Sequence, residues 1–213
     1  MELQFRPVTS ERWDDFETLF GECGAYGGCW CMWWRTTRRE FSRQQGEGNK
    51  RAMKQIVDSG KVPGLLAYEG ETPIGWVSVA PREDYPSLNR SPNFKRVDDK
   101  PVWSIVCFYV DPAHRGKGVL TGLVAAAREY ALSRGARIVE AYPREPGRRI
   151  SSELAYMGLA PVFEEAGFVE VLRRAAGPPH SPLPGLISHR RPLRSPPQTI
   201  SSGPPRLRSE WRG

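Results

Sequence analysis

Apolar positions along the first 173 residues follow two periods, and the switches between them mark the elements. Residues 2–8 read as a strand, after which Trp13, Phe16, Leu19 and Phe20 recur at helical spacing. Thr9 or Ser10 is placed to cap that helix, and Glu11, Asp14 and Asp15 suit the positive end of its dipole. A glycine-rich turn and the segment "CWCMWWR" (Cys29 to Arg35) come next. A second helix is predicted over 49–59, with Ala52, Met53, Ile56 and Val57 on one side. Residues 64–69 and 73–80 flank the turn Glu69-Gly70-Glu71-Thr72 and read as a β-hairpin. A polar loop over 81–100 leads into a strand at 102–110. Val119, Leu120, Leu123, Ala127, Tyr130 and Ala131 then predict a helix over 118–134, ended by Gly135. A strand at 137–142, a helix at 160–166 with Pro161 in its first turn and a strand at 168–173 complete the pattern.

This order, β-α-α-β-β-β-α-β-α-β, ends in a β-α-β crossover, which requires a parallel strand pair. Ligands of such sheets bind beyond the carboxyl ends of the strands, where helix N-termini point. From Ala175 the composition changes, and nine of the chain's 20 prolines lie beyond that point. A segment of this kind buries too little apolar area to offset its ordering entropy, so the reading is a domain at 1–174 and a disordered tail at 175–213. The nearest strand candidate in the tail, "GLISHRRPL" (Gly185 to Leu193), has two prolines just before it and one inside. The last strand of the sheet is therefore expected to be absent or poorly formed, leaving the strand at 168–173 with an exposed edge. The abrupt shift to Arg, Pro, Ser and Gly is also what a shifted reading frame in a GC-rich gene would produce.

Charge sharpens the division. The chain of 213 residues carries a net charge of +7, which suggests nucleic acid. From Val171 onward there are eight arginines, no lysine and one acid, Glu210, so the whole surplus lies there and residues 1–170 balance. A neutral body argues against a nucleic-acid partner. The start, "MELQFRPVT", carries an acid and no apolar stretch, and no apolar run is long enough to span a bilayer. The expectation is a cytoplasmic chain with no membrane partner, a monomer or homodimer, whose Cys23, Cys29, Cys31 and Cys107 are reduced thiols.

The stretch that carries chemistry is "VCFYVDPAHRGKGVLTGL" (Val106 to Leu123), where an apolar strand stops at Asp111-Pro112 and a basic glycine turn opens a helix. Such a turn lets backbone N–H groups converge on a phosphate, and the helix dipole adds positive potential. The Walker A spacing fails, because position 111 is Asp and position 118 is Gly. The dinucleotide fingerprint fails because position 121 is Thr. What remains, "YVDPAHRGKGV", resembles the cofactor motif of the GNAT superfamily of acyl-CoA-dependent N-acyltransferases, with Gly116 and Gly118 at the two glycine positions. Ala113 stands where the family pattern has Gln or Arg, which removes one side-chain contact. "FEEAGF" (Phe163 to Phe168) before a final strand is similar to the family as well, and the resemblance covers about residues 1–173.

The resemblance implies an α/β fold with a mixed, mostly antiparallel sheet, a central parallel splayed strand pair and flanking helices. It implies acetyl-CoA as co-substrate, with its pyrophosphate on the N–H groups of Arg115, Gly116, Lys117, Gly118, Val119 and Leu120 and added charge from Arg115 and Lys117. The strand ending at Val110 would splay from the strand at 137–142, and the pantetheine arm would pair with backbone near Phe108 and Val110. The Val110 N–H would then polarise the thioester carbonyl.

Amine acylation needs a base for the amine and an acid for the leaving thiolate. Many family members use a Tyr just before the Gly-Phe pair; here that position is Phe163, and Tyr156 is the nearest replacement, weighed against a simple packed aromatic. Glu140 borders the expected wedge and is the candidate base, against the stronger reading of a solvated or salt-bridged glutamate. Positioning of amine and thioester supplies much of the rate in either case. Cys107, on the cofactor strand, reads as a buried thiol rather than an acyl carrier. Cys23, Cys29 and Cys31 lack a second CxxC or a His pair, so no metal is assigned. Trp30, Trp33 and Trp34 are candidates to line an acceptor pocket, against core packing. A similar Cys-Trp-Cys-Met-aromatic-Trp segment occurs in a bacterial branch of the GNAT superfamily, where the acceptor binds. The activity so implied is acetyl transfer to a primary amine of a small-molecule or protein acceptor. The alternatives are a non-catalytic acyl-CoA-binding module and an RNA-binding protein whose tail carries a steep salt dependence.

Overall fold

The computed structural model of the chain describes residues 2–144, 155–172 and 186–190. Its strands are β1 (Leu3–Pro7), β2 (Gly64–Glu69), β3 (Thr72–Pro81), β4 (Trp103–Val110), β5 (Ile138–Ala141), β6 (Val169–Leu172) and β7 (Leu186–Arg190), in one sheet of order β1-β2-β3-β4-β5-β7-β6. β4 and β5 run parallel, and the other pairings are antiparallel. The helices are α1 (Trp13–Phe20), α2 (Arg38–Gln44), α3 (Glu47–Asp58), α4 (Pro86–Arg90), α5 (Val119–Ser133) and α6 (Ala160–Glu165). This is the mixed, mostly antiparallel sheet with one parallel pair and flanking helices that the resemblance implies.

Both faces of the sheet are covered, which is why β2 reads as a continuous apolar run rather than an alternating one. Along β2, Leu65 and Ala67 enter one core while Leu66 and Tyr68 enter the other. On the first face α5 buries Val119, Leu123, Val124, Ala127 and Ala131 against the sheet. On the second, Trp13 and Phe16 of α1 and Met53 and Val57 of α3 pack on Leu66, Tyr68 and Trp76. A third cluster, with Trp34, Tyr85, Leu88, Val106, Tyr142 and Met157, lies under the segment after β3.

Three local expectations are corrected. α1 begins one turn late, after a 3-10 turn at Ser10–Arg12, and Thr9 makes no side-chain cap. α2 was not foreseen, although its signature is legible: Thr37 accepts from the Glu40 N–H while the Glu40 carboxylate accepts from the Thr37 N–H, a capping box. The loop at 81–100 contains α4, anchored by the fully buried Arg82, whose Nε donates to Asn89 Oδ1 at 2.9 Å.

The largest correction concerns the last strand. The chain returns at Leu186–Arg190 and inserts β7 antiparallel between β5 and β6, with Ser188 opposite both Glu140 and Val169. The flanking prolines, Pro184 and Pro192, lie outside the described residues, and the strand between them contains none. β6 pairs with β7 on one side and, as the last strand of the sheet, keeps the exposed edge expected of it. The rest of the expected tail, 175–185 and 191–213, lies outside the described residues, as do residues 173 and 174.

Candidate active site

The site starts from a defect in strand pairing. In the β3–β4 register Ser78 faces Cys107 but Val79 faces Ile105, so Val106 is the extra residue of a β-bulge. β4 pairs with β5 only at Trp103, Ser104 and Ile105. Beyond the bulge β4 continues to Val110 without β5, and a wedge opens between the two strands. The Asp111 N–H donates to Ile74 O at 3.0 Å, across β3. Backbone groups alternate in direction along a strand, so Val110 and Phe108 turn their N–H and C=O groups away from β3, into the wedge. The Val110 carbonyl accepts from Arg115 Nε at 3.1 Å there, which agrees with that direction.

At the mouth of the wedge the chain turns through Asp111, whose carboxylate accepts from the Ala113 N–H at 2.8 Å, and enters α5 at Val119. Gly116 and Gly118 have φ of +74° and +79°, a left-handed conformation that costs other residues about 1–2 kcal/mol. A Cβ at either position would meet no atom within 4 Å, so the turn presents bare backbone to open space. This fits a phosphate cradle at a helix start. A solvent-open cleft of ≈ 920 Å³ runs along it, lined by Phe108, Val110, Arg115, Gly116, Gly118, Val119 and Leu120. His114 and Thr121 also line it and were missed by the sequence reading. Lys117 is exposed and is not among the lining residues.

A second cleft, of ≈ 1120 Å³, lies on the other side of Arg115 and Tyr156, which line both. Its walls include Tyr26, Cys29, Trp33, Phe41, Cys107 and Tyr109. Tyr156 sits in a 3-10 turn at Ala155–Met157, and burial, followed by the nearby Cys107, pushes its phenol up to about 12. It is a protonated donor throughout the neutral range.

The three tryptophans separate. Trp33 stands in the wall of the second cleft, edge-on to Phe41 at 5.0 Å, with the Arg38 guanidinium 3.9 Å from its ring centre. Trp30 is corrected to core: it is 2 % exposed, stacks on Phe20 at 5.6 Å and does not line the cleft. Trp34 is buried beneath a neighbouring cleft and meets Phe94 edge-on at 5.1 Å. The segment holds this arrangement at a backbone cost, because Ala25, Trp30 and Cys31 all have positive φ, each worth about 1–3 kcal/mol. Cys31 accepts from Trp76 Nε1 at 3.2 Å. Burial raises its thiol, but hydrogen bonds from Cys107, Trp76 and Ser78 and the charge of Arg35 outweigh that and bring it to about 7. Burial and the Cys31 charge push Cys29 up to about 11.

Glu140 is corrected as well. It is buried, lines neither cleft, and its Oε1 accepts from Arg82 Nη1 at 2.6 Å, Ser104 Oγ at 2.6 Å and the Tyr142 hydroxyl at 2.5 Å. Ser104 and Glu140 face each other in the β4–β5 register, so this network holds the closed end of the wedge. Removing one member of such a buried pair costs about 3–5 kcal/mol, which makes Glu140 a structural group. Phe163 is fully buried between Phe108 and Phe168.

Among the described residues no group of three or more His, Cys, Asp or Glu is arranged to hold a metal ion, and no helix is long and apolar enough to cross a membrane. All four cysteines are free thiols. No curated protein sequence matches the chain. Among solved structures it is similar to an acetyltransferase of the GNAT family from Streptococcus pneumoniae, at 12% identity and a TM-score of 0.51, over 89% of this chain and 99% of that one. It is similar also to arylalkylamine N-acetyltransferase 2 from Aedes aegypti, at 14% identity and a TM-score of 0.50, over 89% and 99%. PaiA N-acetyltransferase from Thermoplasma acidophilum, solved with coenzyme A, shares 12% identity at a TM-score of 0.49, over 90% and 100%. The sequence profile of the Acetyltransferase (GNAT) family matches residues 30–154, more than half of the chain, and with the bulged β4, the wedge and the glycine turn already in place the chain belongs to that family.

Proposed function

We propose that this acetyltransferase moves the acetyl group of acetyl-CoA directly to a primary amine held in the cleft walled by Trp33, Phe41 and Tyr109. The observation that carries the reading is the junction at Tyr156 and Arg115, which line the cleft along the glycine turn and the cleft beside Trp33 at once. A donor in one and an acceptor in the other would meet over the unpaired edge of β4, and holding two reactants in register supplies much of the acceleration.

The roles follow from direction and charge. The N–H groups from Arg115 to Leu120 are suited to a pyrophosphate, because the turn has no side chain in the way and opens a helix. Phe108 and Val110 offer the wedge backbone groups that an extended pantetheine arm can pair with, as an added strand does. Of these, the Val110 N–H is the donor we assign to the carbonyl oxygen as it gains negative charge. Arg115, now bound to the Val110 carbonyl, must release it when that edge is paired. Tyr156, kept protonated by burial, is assigned as the acid that donates its phenolic proton to the leaving thiolate. With Glu140 committed to Arg82, the amine proton passes to solvent from a cleft open to water.

The test is release of free CoA from acetyl-CoA against a panel of primary amines, with acetyl-CoA affinity measured separately by calorimetry. Turnover with at least one amine class is expected. Tight acetyl-CoA binding without turnover across the panel would make the chain a binding module instead.

A further inference from the structure

Trp33 and Tyr156 have a second neighbour that the acetyl-transfer chemistry leaves unused. Beyond them lies a third solvent-open cleft whose walls hold Arg38, Arg39, Arg90 and Arg144 and no carboxylate among the described residues. The arginines come from three separate places: the first turn of α2, the end of α4 and the residue after β5 that pairs with Leu159. Their convergence is a product of the fold and not of a basic run in the sequence. Glu40, which feels Arg90, is engaged in the Thr37 capping box and does not line the cleft.

A second observation is independent of charge. Trp34, 6 % exposed, lines the same cleft, and its indole Nε1 finds no hydrogen-bond acceptor among the described residues. The buried Nε of Arg144 is in the same position. Buried donors are nearly always paired in folded proteins, so two of them in one wall mark the place of an absent acceptor. Indole N–H and guanidinium groups donate and cannot accept, so their partner must present an acceptor, and among four arginines an anionic oxygen suits best. Guanidinium forks match the paired oxygens of carboxylates and phosphates.

Resting on the acceptor site proposed above, we infer that the amine substrate is an anionic amine, whose carboxylate or phosphate is held by Trp34 Nε1, Arg144 and the flanking Arg38, Arg39 and Arg90 while its amino group reaches Tyr156 past Trp33. Trp33 and Tyr156 line both clefts, so the two adjoin at these side chains. The four positive charges also raise the local concentration of such a substrate over neutral or purely cationic amines.

The test uses the full chain and a panel of primary amines, each in a carboxylate, a phosphate and a neutral alcohol or methyl-ester form. Acetyl-transfer kinetics and calorimetric binding are measured in parallel, for the parent and for Arg90→Glu, Arg39→Glu and Trp34→Phe. Arg39 and Arg90 are exposed, so their reversal leaves folding intact, and Trp34→Phe removes the N–H while keeping an aromatic ring. The anionic form is expected to be favoured at least about tenfold in kcat/KM, the scale of a hydrogen bond to a charged group. Each variant should erase much of that preference through KM while acetyl-CoA affinity stays within about twofold. The carboxylate and phosphate arms decide which anion fits. Equal or better use of the neutral forms, with no effect of charge reversal, overturns the inference and leaves acetyl transfer standing. Arginine-dependent binding of the anionic amines without turnover supports the inference and removes the acetyl-transfer reading. Acetyl-CoA affinity falling with the arginines would assign the cleft to the donor and overturn the inference, as would an acidic peptide that binds there when no anionic amine does.

Discussion

Tyr156 is the residue on which chemistry and surroundings depend most closely. It borders all three clefts, and burial keeps its proton in place to about pH 12. As an acid it should be active across the neutral range, so no alkaline limb belonging to it appears in kcat/KM until well above pH 10. Tyr156→Phe is expected to lower kcat about 10²-fold, the low end for a lost general acid, with the KM for acetyl-CoA unchanged. An undiminished kcat in that variant would return Tyr156 to a packed aromatic. The tryptophans offer a sharper contrast, because residues three apart in one segment have opposite surroundings. Trp30 fills the space left by the absent side chain of Gly24 and stacks on Phe20, so Trp30→Ala should cost about 3–5 kcal/mol of stability. Trp33→Ala should instead raise the acceptor KM with a small change in Tm. Equal thermal losses in the two variants would contradict the division between core and cleft.

Among the elements, β7 carries the most testable weight. A chain stopped after Gly185 removes the strand that bridges β5 and β6, and uncovers Phe168, which packs against His189. At about 0.4 kcal/mol for each of the seven cross-strand pairs the loss is about 3 kcal/mol. At 2–4 °C for each kcal/mol in a domain this size, Tm should fall by about 6–12 °C. An unchanged Tm would show that β7 adds nothing to the sheet. The reason this strand escaped the sequence is physical. It pairs with β6 and with β5, the latter about 50 residues earlier, and its neighbours are prolines, so local signals say loop while much of the ladder is supplied from afar. α5, α1 and the β2–β3 hairpin were legible because each repeats its apolar period over a whole element and meets a covered face. The site divides similarly. The glycine turn could be read from spacing, since its function lies in the backbone that Gly116 and Gly118 allow. The fate of Glu140 could not, because the partner that claims it, Arg82, is 58 residues away on a loop.

At the scale of the whole molecule, the sheet is pinned at one end and open at the other. The Arg82–Glu140–Ser104–Tyr142 network holds β4 to β5 below the bulge at Val106, while above it β4 has a partner on one edge only. The amides of Tyr109 and Asp111 face β3, and those of Phe108 and Val110 face the wedge, so strand polarity writes an alternating pattern of protection onto one short segment. In the ligand-free protein the Val110 and Phe108 amides should exchange with solvent at least about 10²-fold faster than those of Tyr109 and Asp111, because local opening is not needed to expose them. Saturating acetyl-CoA should slow Val110 and Phe108 selectively, as the pantetheine arm completes the missing edge, and leave their neighbours nearly as they were. The ligand also stabilises by mass action, about 2.7 kcal/mol at a hundredfold excess over Kd, so all core amides will slow together in the global term. The diagnostic is therefore the difference between odd and even positions from Phe108 to Asp111, read by hydrogen exchange with residue resolution. If that difference persists at saturation, the donor does not lie along β4, and the assignment of the Val110 N–H to the thioester carbonyl fails with it.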